Sequence, residues 1–256
     1  MVDRVSLPKV LVFDLDDTLI FETEYVQSAL AAVDQHLQAN YRIQGFLAAA
    51  QLRFEQGQRT QLFDAVLTQL HRAPDPRLIH ELLMVYRHHR PQIHLLSDVH
   101  ACLTESRALC SLALITDGYQ ATQRAKIDVL ALDKFFETII VTDELAAHGS
   151  AWKPDPRAFE MIMDRFKVEG SQCCYVGDNP KKDFVGARQL GWKTVRIRRA
   201  QGLHYTREAS EGYQADLEIT TLQPLIPRLR QLYASTQPVQ EPRRSPCPHA
   251  SPSPSA

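Results

Sequence analysis

The sequence predicts an α/β fold, a parallel sheet flanked by helices and carrying an all-helical insertion. Three observations carry this. Short apolar runs alternate with helical stretches over most of the chain. The first four of those runs are almost continuously apolar, as strands covered on both faces must be. Between Phe21 and Ile93 strand signals vanish and apolar residues recur at helical spacing.

The expected strands are Val10–Phe13, Leu112–Ile115, Thr138–Val141, Cys173–Val176, Lys193–Ile197 and a short Leu217–Ile219. Asp155 is placed to cap a helix with Pro156 at its first position. Pro180 is read as opening another helix that Gly191 closes, and Thr221 as capping a last one through about Tyr233. In the insertion, Val26, Leu30, Val33 and Leu37 share one helical face, as do Leu62, Val66 and Leu70, then Leu78, Leu82 and Val85. The expected division is a core of residues 1–20 and 94–235, an insertion of 21–93, and a Pro/Ser-rich tail of 236–256. The tail has too few apolar residues to offset the entropy of folding and is expected to be disordered.

Bulk properties narrow the function classes. The 256 residues are 44% hydrophobic and 23% charged, with a net charge of −1. That balance makes no electrostatic case for nucleic acid or an anionic membrane. No apolar run reaches the roughly 20 residues that span a bilayer. The first strand begins without a signal-peptide pattern, so a cytoplasmic address is expected. The five cysteines show no zinc spacing and are read as free thiols, with Cys173 and Cys174 in a buried strand.

Four strands end in an acid: Asp14, Asp117, Asp143 and Asp178. Ligands of open parallel sheets bind beyond the carboxyl ends of the strands, so acids roughly 160 residues apart converge on one cleft. The first segment is the most informative. Val10-Leu-Val-Phe-Asp14-Leu-Asp16-Asp-Thr18-Leu ends a buried strand in two carboxylates, which are costly there unless a partner such as Mg²⁺ meets them. Asp14 is then a candidate nucleophile, with phosphorus as its electrophile. Read alone, the segment also fits a strand followed by an acidic turn.

Three further segments follow in order: Leu112-Ala-Leu-Ile-Thr116-Asp117-Gly118, Trp152-Lys153-Pro154-Asp155-Pro156, and Cys174-Tyr-Val-Gly177-Asp178-Asn-Pro-Lys-Lys-Asp183. Together the four resemble the signature of the haloacid dehalogenase-like superfamily of hydrolases, over Val10 to about Arg198. The resemblance implies a Rossmann-like core, with the insertion as a helical (C1-type) cap over the site. Helices packed on the sheet without a gating role would give the same pattern.

The resemblance also implies roles. Asp14 attacks phosphorus and Asp16 serves as general acid and then base. Mg²⁺ is held by Asp14, the backbone carbonyl of Asp16, and Asp178. The Thr116 hydroxyl, the Asp117 N–H and Lys153 bind the phosphoryl oxygens, and Gly118 lets the chain turn close to them. Dehalogenating members lack an acid at the position of Asp16, so its presence favours a Mg²⁺-dependent phosphatase acting on a small phosphorylated metabolite. An intramolecular phosphomutase shares the same acids, and a non-catalytic protein could retain the fold.

Supporting roles stay open. Asp117 can also cap the following helix. Asp183 reaches the metal through water, orients Lys153, or is a first-turn helix acid. Thr18 is expected to support its loop by hydrogen bonding, and Asp17 to point away. His88, His89, His94 and His100 fit no ligand spacing and are read as surface residues. Arg196, Arg198 and Arg199 are read as solvated. In the insertion, Arg53, Arg59, Tyr86 and Arg87 are candidates for substrate contact, with nothing to choose among them. The stretch Leu145–Ala151 leaves the geometry around Lys153 open.

Overall fold

The computed structural model describes residues 7–146 and 149–235; the Pro/Ser-rich segment 236–256 lies outside them. In chain order the elements are β1 (Val10–Phe13), α1 (Glu22–Tyr41), α2 (Phe46–Glu55), α3 (Leu62–Gln69), α4 (Pro76–His88), α5 (Val99–Arg107), β2 (Ser111–Thr116), α6 (Gln120–Val129) and β3 (Thr138–Val141). There follow α7 (Arg157–Phe166), β4 (Cys173–Gly177), α8 (Val185–Gln189), β5 (Lys193–Ile197), β6 (Leu217–Ile219) and α9 (Leu225–Ala234). All six strands pair in parallel, in the order β3-β2-β1-β4-β5-β6. The α/β fold predicted from sequence is the one observed.

The strand order places the site. From β1 the chain first builds outward through β2 and β3, then crosses to β4, β5 and β6 on the other side. The switch in direction falls beside β1, where ligands of doubly wound sheets bind. Phe13 pairs with Leu114 on one side and Val176 on the other, which levels the carboxyl ends of the three central strands.

Alternation within β1 feeds two cores. Leu11 and Phe13 pack with Leu30 and Leu229 on one face, whereas Val10 and Val12 join Phe159, Tyr175 and Phe184 on the other. Burial on both faces explains the unbroken apolar pattern. In α1 the stripe Val26, Leu30, Val33 and Leu37 is buried as its spacing predicts. The inserted helices return to the sheet beside their exit, where the Leu96 N–H meets the Leu19 carbonyl at 3.0 Å. No helix among the described residues is long and apolar enough to cross a membrane. Cys102, Cys110, Cys173 and Cys174 are free and buried, while Cys247 lies outside the described residues.

Several helix starts differ from expectation. The Asp155 carboxylate does accept the Arg157 N–H at 3.0 Å, but α7 begins at Arg157, one residue after Pro156. Pro180 opens only a turn, because the N–H groups of Lys182 and Asp183 both return to the Asn179 carbonyl and α8 starts at Val185. Gly191, at φ +80, closes α8 as expected. Thr221 caps nothing: α9 starts at Leu225, and the intervening Leu222 N–H is held by Asp98 at 2.7 Å.

Candidate active site

Asp14 follows the last residue of β1, and its N–H donates to the Val176 carbonyl of β4 at 2.8 Å. This bond fixes the first acid against the strand that Asp178 follows. Asp17 then adopts a left-handed conformation, φ 52, and its carboxylate accepts the N–H groups of Glu22 at 3.0 Å and Leu203 at 2.7 Å. It points away from Asp14, as expected. The Thr18 hydroxyl is buried without a hydrogen-bond partner, so the expected support comes instead through its carbonyl, which accepts Nε and Nη2 of Arg199 at 3.0 and 2.9 Å.

Arg199 is not solvated. It forms a two-bond fork to Asp98 at 3.1 and 3.0 Å, with both side chains only 8% exposed. Arg196 is buried too, donating to the carbonyls of Asp178, His204 and Arg207. Their acceptors lie far away in sequence or on the main chain, which a strand pattern does not reveal. Only Arg198, paired with Glu208 and Glu218, keeps partial exposure.

Lys153 is the hub. Its buried Nζ lies 2.9 Å from Asp14 Oδ1, 2.9 Å from Asp183 Oδ1 and 4.0 Å from Asp117, and it donates to the Tyr175 hydroxyl. Burial would lower its pKa, but Asp14, Asp183 and Asp117 outweigh this and hold it above the ordinary lysine range. Burial also pushes Asp14 up to about 6, against the pull of Lys153. Asp183 further accepts the Asn179 N–H at 2.7 Å. Because it precedes α8, the first-turn role is not the one it plays.

Asp14, Asp178 and Asp183 bring carboxylate oxygens within 4.8 Å of one another. Burial, with Asp183 and Asp14 nearby, drives the Asp178 carboxyl well above its usual range. Asp178 Oδ2 is buried with no hydrogen-bond partner. Crowded hard oxygens and one orphaned acceptor suit a hard divalent cation. Of the four histidines read as surface residues, His88, His94 and His100 are exposed, while His89 is half-buried against Ser28 and Tyr86.

The side chain of Asp16 turns the other way, accepting Lys126 Nζ at 2.6 Å and Gln123 Nε2 at 3.0 Å. Gln123 also reaches the Thr116 hydroxyl. Asp117 accepts the Thr142 hydroxyl at 2.8 Å, the Lys153 N–H at 3.1 Å and Lys182 Nζ at 2.8 Å. Burial would raise its pKa, yet Lys153 and Lys182 hold it below the usual range. It does not cap α6; Asp143 does, accepting the Gln120 N–H at 3.0 Å. At Gly118 φ is +131, and a Cβ would lie 3.2 Å from the Gln123 side chain, so only glycine fits without strain.

Lys126, Gln123 and Lys182 are absent from the sequence-derived site. Lys182 carried a usable signal, a cation directly before Asp183. Gln123 and Lys126 lie one helical turn apart on α6 and so share a face, but nothing in their spacing says which face meets Asp16.

Beside these groups lies a cavity of about 590 Å³, lined by Asp16, Gly118 and Lys126 from the sheet side and by Tyr25, Phe63 and Tyr86 from the insertion. Arg59 and Arg87 also line it. Arg53 does not, since its guanidinium is bound to Gln69 and Gln58.

A family model for haloacid dehalogenase-like hydrolases matches residues 11–197. The chain belongs to this family. Among relatives of this haloacid dehalogenase-like hydrolase, the glyceraldehyde 3-phosphate phosphatase of Pyrococcus abyssi is 30% identical over 196 residues, covering 73% of this chain and 80% of its own. The N-acylneuraminate-9-phosphatase of Mus musculus is 27% identical over 241 residues, with 85% and 94% covered. A HAD hydrolase of Bacillus subtilis bound to magnesium shares the fold at a TM-score of 0.64 and 19% identity, covering 88% of this chain and 99% of that one. A HAD phosphatase from Thermococcus onnurineus superposes at 0.58 with 26% identity, covering 86% and 97%.

Proposed function

We propose that this hydrolase is a Mg²⁺-dependent phosphatase that cleaves a small phosphorylated metabolite through an aspartyl-phosphate on Asp14. The enzyme class, a phosphoric monoester hydrolase, is supported by the family match and by relatives named as phosphatases. One observation carries the mechanism. Lys153 bridges Asp14 and Asp183 while Asp178 keeps a buried oxygen without a partner.

Asp14, Asp178 and the main-chain carbonyl of Asp16 would hold Mg²⁺, which when bound supplies positive charge against the phosphoryl oxygens. The Asp14 carboxylate attacks phosphorus as the bond to the leaving oxygen breaks. Lys153 steadies Asp14 and neutralises the charge that builds in the dry site. The Thr116 hydroxyl and the Asp117 N–H donate to the phosphoryl oxygens. Asp16 gives a proton to the departing alkoxide, then takes one from the water that attacks the aspartyl-phosphate. Lys126 and Gln123 hold the two carboxylate oxygens of Asp16 and so orient it for both transfers.

A panel of phosphomonoesters assayed with Mg²⁺ and again after chelation tests this reading. Hydrolysis that depends on the metal supports it, and inertness toward the whole panel with Mg²⁺ present tells against it.

A further inference from the structure

The geometry points to a substrate class: a phosphomonoester whose leaving group carries a carboxylate, held by Arg87. This rests on the phosphatase reading above and says what occupies the cavity beside it. The cavity opens off Asp16 and Gly118, so the departing alcohol fills it. Its 590 Å³ exceeds what a three-carbon alcohol needs and falls within the roughly 300–1,000 Å³ of pockets for larger molecules.

Arg87, half-buried in α4, lies with its guanidinium carbon 3.6 Å from the centre of the Tyr119 ring. Tyr119 directly follows Gly118, so the cation sits one residue from the turn that lines the phosphoryl site. Among the described residues this guanidinium has no carboxylate or hydrogen-bond partner. Stacking holds its plane while leaving the N–H edge free, the arrangement that grips a planar two-oxygen acceptor. Arg59, over the Phe54 ring at 4.6 Å, adds a second cation to the same cavity.

Two of the acids around the cavity are paired, Asp16 with Lys126 and Asp117 with Lys182. Asp64 lies in the first turn of α3, where the N-terminal dipole offsets its charge. Glu22 is held toward its neutral form, because burial and the nearby Asp16 push its carboxyl up to about 7. Arg87 is left as a half-buried cation whose donors await an acceptor.

Three six-carbon phosphates that differ only at the end away from the shared phosphate make the test: 6-phosphogluconate, glucitol 6-phosphate and glucitol 1,6-bisphosphate. The acid is expected to exceed the polyol in kcat/KM by about 10- to 100-fold, the worth of a charged hydrogen bond. Arg87→Met should bring that ratio near one and Arg87→Lys should fall between. Arg77→Met, exposed on the same helix away from the cavity, should leave the ratio as in the wild type. Equal turnover of acid and polyol, preference for the bisphosphate, or an unchanged ratio in folded Arg87→Met overturns the inference. Turnover of 4-nitrophenyl phosphate alone also overturns it and leaves the phosphatase reading standing. Failure on that ester as well tells against the phosphatase reading itself.

Discussion

Lys126 Nζ lies 2.6 Å from Asp16 Oδ1, with the lysine side chain 3% exposed, and Gln123 takes the other carboxylate oxygen at 3.0 Å. Lys126 also rests over the Tyr25 ring at 4.3 Å. The acid proposed to protonate the leaving group is therefore aimed by a helix of the sheet layer, and its partner packs against the insertion. Orientation of Asp16 and the wall of the substrate cavity are coupled through one ammonium group.

Lys126→Met is expected to lower kcat for alkyl phosphates by about a hundredfold, the usual scale of general-acid catalysis. For 4-nitrophenyl phosphate, whose leaving group needs no proton, the loss should be much smaller. A leaving-group series measures this. Equal losses across the series would mean that Lys126 only holds the fold.

Lys182 and Asp117 form a second pair, at 2.8 Å. Lys182→Met leaves a buried carboxylate facing the incoming phosphate, and kcat/KM should fall about tenfold or more. Adding Asp117→Asn removes that charge, so the double variant should recover part of the loss. Strict additivity in the double-mutant cycle would contradict coupling between the two.

The orphaned oxygen of Asp178 has a thermodynamic signature. Mg²⁺ at a hundred times its Kd should stabilise the wild type by about 2.7 kcal/mol, roughly 5–10 °C in Tm for a chain of this size. Asp178→Asn should lose most of that shift. Without metal it should melt at or above the wild type, since one of three crowded negative charges is gone. A full Mg²⁺ shift in Asp178→Asn would exclude Asp178 as a ligand.

The Arg199–Asp98 fork ties the Thr18 carbonyl to α5 and to Leu222. Arg199→Met should destabilise the protein by about 3 kcal/mol, as removal of one partner from a buried pair does. Burial raises the Asp98 pKa, but the hydrogen bonds from Arg199 and the Leu222 N–H outweigh it and hold the carboxyl below its ordinary 3.8. Its folded pKa is thus depressed. The stabilisation is complete above 3.8 and is lost as the pH falls through the lowered folded value. Denaturant melts from pH 7 to pH 3 should show the gap between wild type and Asp98→Asn closing only at the acid end.

What was legible in the sequence follows from locality. Val10–Phe13 is legible to the residue because a strand buried on both faces leaves an unbroken apolar run. Asp14 and Asp178 come together because parallel strands deliver their ends to one edge, and Lys153 meets them from the loop before α7. The misreadings have the opposite character. Thr221 and Pro180 carry sound local helix signals that distant or turn hydrogen bonds override. Arg199 reads as solvated because Asp98 stands 101 residues away. Lys126 had no legible partner, since only the packing of α6 against the β1 loop turns it toward Asp16.

The most direct measurement is turnover of 4-nitrophenyl phosphate with Mg²⁺ by the wild type and by Asp14→Asn, both verified as folded by circular dichroism. Asp14 as nucleophile predicts a loss of at least about a thousandfold, because the amide cannot form the aspartyl-phosphate. Comparable turnover by the two proteins would contradict it.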